Sequence, residues 1–180
     1  PTHVNRKRAL FDDAIAFAKE GSHVDITAFP VSEGEDAWAA ETALLRYLDS
    51  GAPLERVSIS SDGGGCLPEF DGEGRVVRMG VGDPGALART LAALLAAGAP
   101  LERVLPAFTS NPARLLRLAR KGALTVGADA DAVVLDEQGT ITADLFSDFN
   151  GIPKGADKTE FYQHDQNWSN RMILGDSLQV

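Results

Sequence analysis

The sequence predicts an α/β protein built from consecutive parallel β/α units. Helix-period apolar segments alternate with short β-branched runs through the first 60 residues, the links between them are short, and the strands run out into polar or glycine-rich residues. Of the 180 residues, 44% are hydrophobic and 24% charged, which is the composition of a folded globular chain and excludes disordered or collagen-like readings.

Thr2-His3-Val4 reads as the tail of a first strand. Between residues 8 and 20, Leu10, Phe11, Ala14, Ile15, Phe17 and Ala18 recur at three- and four-residue spacing, with Gly21 as the stop, so a helix is expected there. The run 23–28, closed by Pro30, is a strand; 36–49 is a second helix ended by Gly51; and 57–60 is a strand leading into Asp62 and three glycines. Beyond these, 75–79 fits one strand of a small hairpin whose turn is Asp71-Gly72-Glu73-Gly74. Helices are expected over 83–97, 101–108 and 111–120, and a strand over 132–135. The heptapeptide Gly-Ala-Pro-Leu-Glu-Arg-Val occurs at 51–57 and again at 98–104, one helix-exit solution used twice rather than a repeat with a period. From about residue 141 helical periodicity fades and aromatics mix with Gly, Asn and Asp, which sets a boundary near 138–142 and makes 138–180 a weakly structured extension.

Seventeen Lys and Arg face 26 Asp and Glu, a net charge of −9, so the average surface repels phosphate and bulk nucleic-acid binding is excluded. No stretch reaches the roughly 18 to 20 uncharged apolar residues of a membrane span. A single cysteine, Cys66, rules out an internal disulfide, and with no basic-then-apolar leader the expected location is the cytoplasm. The chain opens on Pro1 and reads as a fragment.

Two constellations carry chemistry. In Thr2-His3-Val4-Asn5-Arg6, an imidazole able to ligate a divalent metal stands three residues before a guanidinium able to grip a carboxylate. The competing reading is a solvent-exposed pair at a chain terminus. In Ser60-Ser61-Asp62-Gly63-Gly64-Gly65-Cys66, a carboxylate at a strand end precedes glycines that let the backbone approach a ligand. Asp62 could ligate a metal and accept a proton, or make an Asx-turn; Cys66 reads equally as a small buried residue or a nucleophile. Both constellations belong to carboxyl ends of strands in one parallel sheet, where such folds gather their chemistry. His23 stands at the beginning of its strand, on the opposite rim, and reads as structural; His164 has no assigned role. The three glycines lack the following Lys-Ser/Thr of a phosphate loop.

These segments, with Val24-Asp25-Ile26-Thr27, Thr109-Ser110-Asn111-Pro112-Ala113 and the run from Lys121-Gly122 through Val134-Leu135, resemble the late part of the isoaspartyl (β-aspartyl) dipeptidases of the amidohydrolase superfamily, over about residues 1–137. The resemblance implies the last strands and helices of a distorted (β/α)8 barrel, leading into a small β-domain. It also implies two zinc ions in the complete enzyme, and cleavage of β-aspartyl dipeptides by a metal-bridging hydroxide. By the same resemblance, His3 matches a metal ligand after the sixth barrel strand, and Arg6 a residue that holds a substrate carboxylate. Asp62 matches the aspartate after the eighth strand, both metal ligand and proton shuttle. Cys66 falls where the family has a substrate-contacting serine. The family's His-x-His pair, bridging lysine and further histidine have no counterpart among the three histidines here. A catalytic zinc ordinarily takes three protein donors, so the resemblance implies a partial site, inactive alone. The expected partners are a small dipeptide substrate, and either a complementing N-terminal half or further copies of the chain.

The tail, through Asp148-Phe149-Asn150-Gly151-Ile152-Pro153 and Trp168-Ser169-Asn170-Arg171-Met172, resembles the region before the catalytic motif of adenine-specific DNA methyltransferases, without the Asp-Pro-Pro-Tyr that would hold the target amine. Two rival readings follow: a non-catalytic β/α fragment or fusion product that packs against a partner, and a methyltransferase-related role through the tail.

Overall fold

The computed structural model describes residues 1–133, which lie within one compact unit, Pro1–Thr140. The element order is α1 (Arg8–Lys19), β1 (Val24–Thr27), α2 (Ala40–Asp49), β2 (Val57–Ser60), β3 (Cys66–Phe70), β4 (Val76–Val81), α3 (Ala86–Ala96), α4 (Leu101–Val104) and α5 (Ser110–Leu115). Short 3-10 turns stand at Val4–Arg6, Leu54–Arg56 and Leu105–Ala107.

β1 and β2 are parallel and in register, Val24 opposite Val57 and Thr27 opposite Ser60, with α2 as the crossover between them. Alternation sends Val24, Ile26, Val57 and Ile59 to one face, where they join Phe11 and Ala14 of α1, Leu44 and Tyr47 of α2, and Leu91 and Leu94 of α3 in the core. Asp25, Thr27, Ser58 and Ser60 occupy the other face. There Asp25 accepts hydrogen bonds from Ser58 (2.6 Å), Ser60 (2.5 Å) and Thr2 (3.0 Å), so the face is a connected polar layer. β3 and β4 form a separate antiparallel hairpin around the Asp71–Gly74 turn, with a register shift between Glu69 and Phe70. Among the described residues no closed barrel forms and no helix is long and apolar enough to cross a membrane.

The strand expected at Thr2 to Val4 is absent. The Pro1 carbonyl accepts from the Asp25 amide at 2.9 Å, as a neighbouring strand end would, but His3 turns into the left-handed region and the chain coils into the Val4–Arg6 turn. The parallel sheet therefore has two strands, β1 and β2, instead of the three expected. α2 begins at Ala40 rather than 36, because the Asp36 carbonyl and Trp38 amide bond to Arg8 and Asn5 instead of to helical partners. The single helix expected over 101–108 breaks into α4 and a 3-10 turn at Pro106, which has no amide to continue the ladder. α5 stops at Leu115 because Arg117 adopts φ 57° and the Leu118 amide reaches back to the Ala113 carbonyl. The helix expected over 83–97 starts later, at Ala86, after a turn closed by Asp83.

The repeated heptapeptide does exit a helix both times. Gly51 (φ 74°) follows α2, Gly98 (φ 81°) follows α3, and in each copy the proline carbonyl accepts from the arginine amide at 3.0 Å. The strand expected over 132–135 runs past the described residues, and the tail with His164 lies outside them.

Candidate active site

The site begins at the turn after Pro1. His3 (φ 57°, ψ 28°) opens it, and its carbonyl accepts from the Arg6 amide at 3.1 Å. Asn5, fully buried, locks the turn in place. Its side-chain amide donates to the carbonyls of Thr27 (2.9 Å) and Trp38 (2.8 Å), its side-chain oxygen accepts from the Thr27 amide (2.9 Å), and its own carbonyl accepts from the Trp38 amide (2.9 Å). This clamp sets His3 beside the carboxyl end of β1, with Nδ1 2.8 Å from Oγ1 of Thr27.

Asp62 lies two residues past the carboxyl end of β2, and β2 ends level with β1, so His3 and Asp62 share one rim of the parallel pair. Asp62 also adopts a left-handed backbone, φ 50°. Three non-glycine residues do so among those described, and two are His3 and Asp62. Such conformations cost on the order of 1 kcal/mol and concentrate at functional sites. The Asp62 loop is held from both sides. Gly65 donates to the Asp62 carbonyl (2.9 Å), Gly82 donates to the Gly65 carbonyl (2.8 Å), and Gly64 donates to the Gly82 carbonyl (2.9 Å). Gly82 must be glycine, since a Cβ there would run into the Asp62 carbonyl group.

Arg6, half-buried, borders a cleft of about 180 Å³ between the β1 end and the hairpin, walled by Phe29, Leu67, Pro68 and Val81. Its guanidinium lies 4.8 Å from the Phe29 ring centroid, and its Nε is buried without a hydrogen-bond partner among the described residues. The other two guanidiniums at the cleft are neutralised, Arg78 by Glu69 (3.3 Å) and Arg89 by Asp83 (2.5 Å), so among the described residues Arg6 is the cationic group there with capacity for a carboxylate. A second cavity, between α2 and α3 and lined by Leu45, Leu48, Pro100 and Val104, holds neither a carboxylate nor an imidazole.

Cys66, exposed at the start of β3, is not the small buried residue that one reading of the sequence allowed. His23 sits just before β1, on the opposite rim. Its Nε2 is 3.1 Å from Ser58 Oγ, whose single hydrogen goes to Asp25, so the ring donates and the chain of groups is structural. Burial lowers the His23 pKa, partly offset by the Asp25 carboxylate.

Imidazole and carboxylate are fitting donors for a divalent cation, but His3 and Asp62 are two donors, and no group of three His, Cys, Asp or Glu side chains able to hold a metal ion occurs among the described residues. They suit part of a zinc site, short of the three protein donors it needs. The sequence reading missed Asn5, Thr27 and Gly82, whose partners lie 17 or more positions away, so no local signal marks them.

Comparison with known proteins agrees with this arrangement. Residues 11–166 match the amidohydrolase family. A crystal structure of a β-aspartyl dipeptidase from the thermophilic keratin-degrading Fervidobacterium islandicum AW-1, in complex with β-Asp-Leu dipeptide, is 40% identical over 78% of this chain, with a TM-score of 0.66. A second structure of a β-aspartyl dipeptidase from that organism is 37% identical over 77% of the chain, with a TM-score of 0.61. The chain spans about a third of their length, 36% and 33%. Asp62 lies inside the matched family segment; His3 and Arg6 precede it. The match continues to residue 166, past the end expected at about 137, and the methyltransferase resemblance of the tail gains no support from it. A β/α core with its polar groups gathered at one rim, 40% identity to a β-aspartyl dipeptidase and a match over residues 11–166 make this chain a member of the amidohydrolase family.

Proposed function

We propose that this chain supplies part of the active site of a cytoplasmic, zinc-dependent hydrolase of β-aspartyl dipeptides, the remaining donors coming from a complementing N-terminal half of the barrel. In this reading His3 and Asp62 are metal ligands, Asp62 also accepts the proton released by the attacking water, and Arg6 anchors a substrate carboxylate. Cys66 borders the substrate. The metal, two ions in the complete site, supplies Lewis acidity and an acidified water. The observation that carries the proposal is the sharing of one sheet rim by His3 and Asp62, with the Arg6-lined cleft next to them. An orphaned, buried Nε on Arg6 is what a guanidinium looks like when it waits for an anionic ligand.

The test is complementation. Combining the chain with the N-terminal half of a β-aspartyl dipeptidase barrel is expected to give zinc uptake and hydrolysis of β-Asp-Leu, both lost in His3→Ala. A folded, reconstituted barrel that takes up no zinc would overturn the proposal.

A further inference from the structure

We infer that Thr27 is a positioning residue for His3: its hydroxyl holds the imidazole as the Nδ1–H tautomer, leaving the Nε2 lone pair for a ligand. The inference rests on the reading of His3 as a ligand, and adds the group that makes it one. A neutral imidazole has one N–H and one lone pair, and the hydrogen bond at one nitrogen decides which nitrogen can bind a cation. Thr27 Oγ1 lies 2.8 Å from Nδ1. Thr27 is fully buried and His3 half-buried, so the Thr27 hydroxyl is shielded from bulk water on its own side of the contact. Its backbone cannot shift to break the contact, because the Asn5 side chain holds both the Thr27 amide and the Thr27 carbonyl at 2.9 Å. Asn5 also bonds both polar groups of the Trp38 backbone, so the turn bearing His3 and the strand bearing Thr27 are one rigid unit. A hydroxyl carries two lone pairs and a rotatable hydrogen, and can accept Nδ1–H within this fixed geometry. The opposite polarity, with the hydroxyl donating to Nδ1, would put the proton on Nε2 and close the ring to any metal.

The experiment is long-range 1H–15N correlation of the 15N-histidine-labelled chain at about pH 8, above the ordinary imidazole pKa, with Thr27→Val and Thr27→Ser. The His3 signals are assigned by His3→Gln. The expected result is Nδ1–H in the wild type and in Thr27→Ser, and a shift toward Nε2–H in Thr27→Val. Since Asn5 grips only the backbone of Thr27, both variants keep the clamp. A wild-type His3 in the Nε2–H form, or a tautomer unchanged by Thr27→Val, overturns the inference. The same labelled chains are then combined with the N-terminal half of a β-aspartyl dipeptidase barrel and Zn2+ is titrated against the His3 ring signals, with a midpoint raised about 10- to 100-fold expected in Thr27→Val. In that assembly, Zn2+ without effect on an Nδ1–H His3 would count against the metal reading alone and leave the role of Thr27 standing.

Discussion

Asn5 makes three side-chain hydrogen bonds, all of them to two backbone segments that frame the candidate site. Replacing it by alanine strips partners from the buried amide and carbonyl of Thr27 and from the carbonyl of Trp38. Leaving such groups unsatisfied costs about 1 to 3 kcal/mol each before relaxation. Asn5→Ala should therefore lose about 3 kcal/mol in urea unfolding, with the His3 ring signals broadened or moved; a change within 0.5 kcal/mol would contradict the clamp. Gly82 works by absence. Gly82→Ala would drive a Cβ to 2.6 Å from the Asp62 carbonyl carbon, so the loop must move, whereas Gly72→Ala meets open space. Backbone amide shifts of residues 62–65 should change strongly in the first and stay put in the second. His3, Arg6 and Asp62 could be named as candidates from the sequence because the chemistry proposed for them follows from residue type. Asn5, Thr27 and Gly82 could not, because what matters in them is a contact made across the fold.

The β/α units followed the sequence closely wherever a local signal decided them. β2 covers the expected residues 57–60, and the two copies of Gly-Ala-Pro-Leu-Glu-Arg-Val each leave a helix through a left-handed glycine. A Cβ on Gly51 or Gly98 meets nothing within 4 Å, so alanine at either carries only the backbone cost, about 1 kcal/mol. Matching losses in Gly51→Ala and Gly98→Ala, by denaturant titration, are expected; a neutral result at either would deny that the copies do the same job. Ends decided at long range were missed: α2 loses its expected first turn to bonds with Arg8 and Asn5, and α5 stops at an arginine in a conformation usually left to glycine. A buried phenol and a half-buried imidazole contribute to the pH response. Burial pushes the Tyr47 phenol up to about 12 while its hydroxyl donates to the Pro53 carbonyl. The folded form thus holds its proton more tightly than the unfolded chain, and this stabilisation, complete below about pH 10, is lost as pH rises toward 12. Burial lowers the His23 pKa, so its contribution is complete above about pH 6.5 and is lost as pH falls below that. Stability measured against pH should fall at both ends, with a shallower alkaline fall in Tyr47→Phe and a shallower acid fall in His23→Gln.

The described residues form a β/α core in which Asp25, Thr27, Ser58 and Ser60 line the sheet face opposite the one packed by α1, α2 and α3. Leu10 and Phe17, seven residues apart on one face of α1, are 56% and 55% exposed. The class of the fold was readable from alternating helix and strand signals, since these are local. The arrangement of the rim was readable only in outline, because it depends on where the chain turns after Pro1. The central claim is that His3 and Asp62 bind one metal site together. Its most direct measurement is anomalous diffraction at the zinc edge, from crystals of the chain combined with the complementing dipeptidase half. The account predicts a zinc peak in contact with both the His3 imidazole and the Asp62 carboxylate. Zinc bound in that assembly by neither residue would contradict it.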